Sequence, residues 1–143
     1  MWAKPRRAGG LRIRGQRGNP NVRFAILRFA KWLRTVESHP VRVPVYLSPH
    51  AYLRTVDNRI VSAAFFAPYD PTDEPFIRIA TGDYPALLTE HGRDDALAMF
   101  LNSLAHELVH YNQWIETGDI SERGVVVRAR KMVDHYALTT DHL

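Results

Sequence analysis

Apolar residues recur at helical spacing in three stretches of the chain and at a shorter, punctuated spacing between the first and second. Val22, Ala25, Ile26, Phe29, Trp32, Leu33 and Val36 fall three or four positions apart behind Asn19-Pro20, a capping residue followed by a proline suited to the first helical turn. They predict an amphipathic helix that closes near His39-Pro40. From Val41 to Thr81 the segments Val43 to Leu47, Arg59 to Phe66 and Phe76 to Ala80 read as β-type runs, separated by Ser-Pro, Asp-Asn, Ala-Pro and Asp-Pro. A small, mainly antiparallel sheet is expected there. Asp94 or Asp95 can cap a long helix that reaches Thr117, with Gly118 placed to end it. A last helix is expected to begin between Asp119 and Ser121 and to run to about Tyr136. The pattern is α+β, with an N-terminal helix, a sheet and two further helices, and no internal repeat or interdomain linker.

Residues 1 to 18 stand outside this pattern. They are rich in Arg and Gly without apolar periodicity and read as a basic flexible arm, leaving 19–143 as a single domain. Lys4, Arg6, Arg7, Arg12, Arg14, Arg17 and Arg23 precede any acid, and these seven exceed the chain's net charge of +4, so the remainder is mildly acidic. The high pI therefore describes an arm, not a basic face spread over a fold. Such an arm suits nucleic acid through its phosphates, and equally a solubilising tail. With 45% hydrophobic and 24% charged residues, the 143-residue chain is far from the composition of disordered proteins and is long enough for one core. No apolar run follows the N-terminal basic residues or approaches the ~18 residues of a membrane span, so no membrane association and a cytoplasmic location are expected.

There are no cysteines, so any metal must be held by His and carboxylate. His106-Glu107-Leu108-Val109-His110 offers such a set: at about 100° per residue, two histidines four apart share one helical face and reach one ion. Leu97, Leu101, Leu104, Leu108, Tyr111 and Ile115 gather on the opposite face, which gives the helix a core side and a histidine side. A catalytic zinc site normally has three protein ligands and an open position. Glu122 is the preferred third, because on a final helix it would lie in the stripe of Val125, Val126, Ala129, Met132, Val133 and Tyr136, where a carboxylate wants a cation. The competing reading is a capping box from Asp119 to Glu122. Glu116 is the other acidic candidate, but a helix continuing through Gln113-Trp114 turns it away from the histidines. His39, His50, His91 and His142 have no helical partner at ligand spacing.

HELVH on one helix, a short connection and a Glu opening the next resemble the gluzincin branch of the zinc metallopeptidases. In size and element order, residues 20 to 139 are similar to the minigluzincins and to the small ImmA/IrrE-like and phage-encoded enzymes. The resemblance implies a zincin-like fold and a zinc-dependent endopeptidase that hydrolyses peptide bonds through a metal-activated water. Zn²⁺ would sit on His106, His110 and Glu122, with Glu107 as the catalytic base and a protein or peptide as substrate. It also implies a strand that borders the cleft and pairs with extended substrate, mapped to Phe76, Ile77, Arg78, Ile79 and Ala80. Many relatives place a small polar residue four positions after the Glu, where this chain has Val126. Tyr136, His135 and Arg128, and also Tyr111, are candidates to stabilise the developing oxyanion. The alternative function is a nucleic-acid-associated module whose arm binds and whose zinc site is structural.

Overall fold

The structure, a computed structural model, describes residues 10–70 and 73–139. Among these the chain runs β1 (Leu11–Arg14), α1 (Pro20–Val36), β2 (Val43–Ser48), β3 (Leu53–Arg54), β4 (Ile60–Val61), β5 (Ala63–Phe66), β6 (Phe76–Ala80), α2 (Tyr84–His91), α3 (Arg93–Thr117) and α4 (Val125–Thr139). The fold is α+β. No helix of the described residues is long and apolar enough to cross a membrane.

The segment expected to be a flexible arm is partly structured. Residues 1–9 lie outside the described residues, but Leu11–Arg14 forms β1, with Leu11 completely buried. The sequence Leu-Arg-Ile-Arg alternates with the period of a strand, so Leu11 and Ile13 face the core while Arg12 and Arg14 face outward. Gly15 then turns the chain toward α1 at φ +105°, and a Cβ there would stand 2.5 Å from the Leu47 carbonyl oxygen. Gly15→Ala combines that clash with a left-handed backbone and should destabilise the fold by about 2–4 kcal/mol, read as a lower urea midpoint. Asn19 caps α1 as its sequence implies, its side chain accepting from the Asn21 and Val22 amides. From the last turn of α1, Arg34 donates Nε and Nη2 to the Leu11 carbonyl at 3.0 and 2.8 Å, on the side of β1 away from β2.

The main sheet has the order β1-β2-β6-β5 and is mixed, not mainly antiparallel. β1 runs parallel to β2 and β2 to β6, and only β5 is antiparallel to β6. A parallel pair needs a crossover connection. α1 supplies one between β1 and β2, and the chain from β3 to β5 supplies the other between β2 and β6. β3 and β4 form a separate two-stranded hairpin. The expected run Arg59 to Phe66 is thus divided between two sheets at Ser62.

One face of the main sheet is covered. Val43, Val45, Leu47, Ile77 and Ile79 point into a core shared with Ile26, Phe29 and Leu33 of α1 and Leu104, Leu108 and Tyr111 of α3. Each such burial contributes roughly 1.5–3 kcal/mol. α4 lies along α3 through Val125, Ala129 and Val133. α2 was not foreseen in the sequence; it leads into α3, and Tyr84 at its start packs on Phe100 at 6.2 Å between ring centroids. α3 ends where expected, with Gly118 in the left-handed conformation at φ 81°. α4 begins at Val125, several residues later than expected, because Gly124 holds φ 73° and keeps the preceding residues out of the helix.

Candidate metal centre

The core of α3 fixes the ring positions of the motif. Leu104, Ala105, Leu108, Val109 and Tyr111 are buried around it, which leaves His106 partly exposed and His110 nearly enclosed at 5% exposure. The two imidazoles lie with centroids 5.1 Å apart. Glu122 closes the triangle: Oε1 stands 3.2 Å from His106 Nε2 and Oε2 stands 3.0 Å from His110 Nε2. One donor atom from each residue falls within 4.8 Å of the others, a spacing that a single ion can bridge.

Glu122 reaches this position by a route different from the one expected. It is not on α4 and not in an apolar stripe; it stands on the connection between α3 and α4, with its side chain 75% exposed. Helical periodicity carried back from Val125 places it among apolar neighbours, but the helix does not extend that far. The capping-box alternative is not formed either, since the carboxylate turns to the histidines and α4 starts three residues later. Glu116 is exposed at the end of α3.

Gln113 is the residue that sequence reasoning passed over. Its amide nitrogen donates to the Ser121 carbonyl at 3.0 Å and its Oε1 accepts from the Ser121 amide at 3.1 Å, a two-way clamp on the residue before Glu122. The clamp also assigns the amide, because only an oxygen can accept the Ser121 N–H. The same Oε1 lies 3.0 Å from His110 Nδ1, so Nδ1 carries the proton and donates. Nε2 is then the atom turned to the Glu122 carboxylate at 3.0 Å. Two lone-pair acceptors face each other stably only with positive charge between them, either a proton or a metal held by both. An outer hydrogen bond to Nδ1 is how ligating histidines are oriented. Two imidazole nitrogens and one carboxylate oxygen, with solvent access at Glu122, form a donor set that could hold one metal ion. If the cluster holds a divalent ion, Gln113→Ala should weaken its affinity about 10–100-fold without altering the helix, measured by competition with a chelating dye. The signal in the sequence was Gln113 three positions after His110, on the same helical face.

Glu107 is only 8% exposed. Burial pushes its carboxyl up to about 7, against the pull of His110; Glu122 adds to the rise, and a hydrogen bond from the Phe65 backbone opposes it. That bond places β5 beside the motif. Ser62 turns its carbonyl to Ala80 of β6, so by alternation Phe65 turns its own polar groups outward, toward Glu107.

Phe76–Ala80 does not border a cleft. β6 is an inner strand, paired with β2 on one side and β5 on the other, so it has no free edge for a peptide. Ile77, Ile79 and Ala80 are buried, and Arg78 is exposed on the face away from the core. The outer strand on this side is β5. Tyr136 packs on Phe29 and Trp32 with centroids at 5.0 and 5.3 Å, and His135 meets the edge of Trp32 at 5.2 Å, which ties both to α1. Tyr136 also lines a cavity of about 870 Å³ with Leu97, Leu101 and Val133 that includes none of the three ligand candidates. Arg128, in the first turn of α4, is exposed. Tyr111 is fully buried, exchanges hydrogen bonds with the Val41 backbone, and is pushed up to about 12 chiefly by burial. Val126 is 64% exposed and supports nothing at the site; Gln113 occupies that role. Comparison with family models, with curated proteins and with solved structures finds no match to this chain.

Proposed function

We propose that this chain is a zinc-dependent endopeptidase of the zincin type, with His106, His110 and Glu122 as metal ligands and Glu107 as general base. The observation that carries the reading is the Gln113 clamp, which fixes the His110 tautomer and delivers Glu122 to both Nε2 atoms at once. A divalent ion held there supplies Lewis acidity at a carbonyl oxygen and acidifies water toward neutrality. Glu107 supplies the other group that hydrolysis requires: a buried carboxyl one residue from a ligand, pushed up by burial in the metal-free chain, placed to take a proton from water and return it to the leaving amine. A purely structural site has no use for a buried carboxylate in that place. The outer edge of β5, with Ala63 and Phe65 turning their backbone polar groups outward, is the position from which an extended peptide would run past Glu107.

The test is reconstitution. Protein stripped with a chelator and dialysed against Zn²⁺ should regain one equivalent of metal, and cleavage of an unfolded protein should disappear and return with it. Cleavage that is indifferent to the chelator would sink the proposal.

A further inference from the structure

Among the described residues, the second face of the main sheet is open at Arg14, Tyr46, Phe66 and Arg78, and its composition there is unlike that of an ordinary solvated sheet. Register places Arg14 beside Tyr46, Tyr46 beside Arg78, Arg78 beside Ala64, and Phe76 beside Phe66, and paired residues share a face. Tyr46 is 43% and Phe66 41% exposed. Phe66 and Phe76 stack at 4.8 Å with planes 19° apart, and Tyr46 meets Phe76 at 6.0 Å. Arg14 and Arg78 are exposed and form no ion pair among the described residues. No carboxylate occurs at these register positions. Arg12, two residues before Arg14, is on the same side of β1.

We infer that the open face of β1-β2-β6-β5 binds single-stranded nucleic acid, its bases stacking on Tyr46, Phe66 and Phe76 and its phosphates meeting Arg14 and Arg78. Aromatic rings on a sheet surface accept any base, since every base has a π-face, and guanidinium groups beside them neutralise the backbone. Duplex fits poorly because its bases are already stacked on one another. An acidic peptide would match the arginines but gives no reason for three adjacent rings. The surface owes nothing to the metal centre, which the covered face carries on α3.

The test uses the full chain and fluorescent oligothymidylate and oligouridylate of about 20 nucleotides, titrated by anisotropy over a range of salt. Both single strands should bind, with duplex of the same length much weaker. Tyr46→Ser and Phe66→Ser, at exposed positions, should each weaken binding roughly tenfold without changing its salt slope. Arg14→Gln with Arg78→Gln should weaken binding and flatten the slope of log K against log salt by about 1.4. Unchanged thermal unfolding of each variant shows that the face and not the fold was altered. The inference is overturned if the Ser variants bind like the parent, if replacing Lys4, Arg6 and Arg7 alone abolishes binding, if duplex binds as well, or if polyglutamate competes equally.

Discussion

Glu107→Gln is expected to keep one equivalent of zinc and lose about 10²–10⁴-fold in peptide hydrolysis, because the change removes a proton acceptor and leaves the ligands in place. A glutamine at this position can still accept the Phe65 hydrogen bond, so the local backbone should not move. The same variant carries a stability signature that can be read without any substrate. In the metal-free protein the folded pKa of about 7 stands above the model value of 4.5, so between these pH values the folded chain holds a proton that the unfolded chain has released. Stability is therefore greatest below about pH 4.5 with respect to this group, falls as pH rises, and stops falling above about pH 7, by which point roughly 3 kcal/mol has been lost. Glutamine does not titrate. Metal-free Glu107→Gln should thus exceed the metal-free parent in urea resistance at about pH 8 and match it near pH 4.5. Equal differences at both pH values would show that Glu107 is not desolvated in the folded chain.

His110→Ala and Glu122→Ala should each weaken Zn²⁺ binding roughly a hundred- to a thousandfold, since about 10–16 kcal/mol of affinity in four-ligand structural zinc sites is about 2.5–4 kcal/mol per ligand. The two substitutions should differ in everything else. His110 is enclosed in α3 and bonded to Gln113, so its removal leaves a gap beside the core and takes one of two partners from the Gln113 oxygen, and the metal-free protein should melt lower. The Glu122 side chain is three-quarters exposed, so the metal-free Glu122→Ala protein should unfold much as its parent does. Isothermal titration with Zn²⁺, paired with thermal unfolding in chelator, separates these outcomes. Retention of full affinity in Glu122→Ala would exclude it as a ligand.

The identity of the ligand candidates was legible in the sequence, while the reason they meet was not. His106 and His110 follow from helical spacing, and the core side of α3 follows from Leu97, Leu101, Leu104 and Leu108. Glu122 was singled out by extending the stripe of α4 backward, yet periodicity carries no information about where a helix begins, and Gly124 decides that. What brings Glu122 to the histidines is the pair of hydrogen bonds between Gln113 and Ser121, a contact between a side chain and a backbone that composition and spacing do not encode. β1 was hidden for a related reason. Two of its four residues are arginines, so the overall charge of the segment masked an alternation that was present throughout. The strand Phe76–Ala80 has the ends its sequence implies, but alternation distinguishes faces and not edges, and its neighbours on both sides come from elsewhere in the chain.

The two margins of the main sheet differ in a way that follows from Arg34. At the β1 margin, an outward carbonyl that would otherwise recruit the amide of an incoming chain is already occupied by both guanidinium donors, and the flanking arginines repel a second copy of themselves. A second copy of the chain laid against β1 would therefore find no acceptor at Leu11 and two like charges beside it, so self-association through this strand is disfavoured.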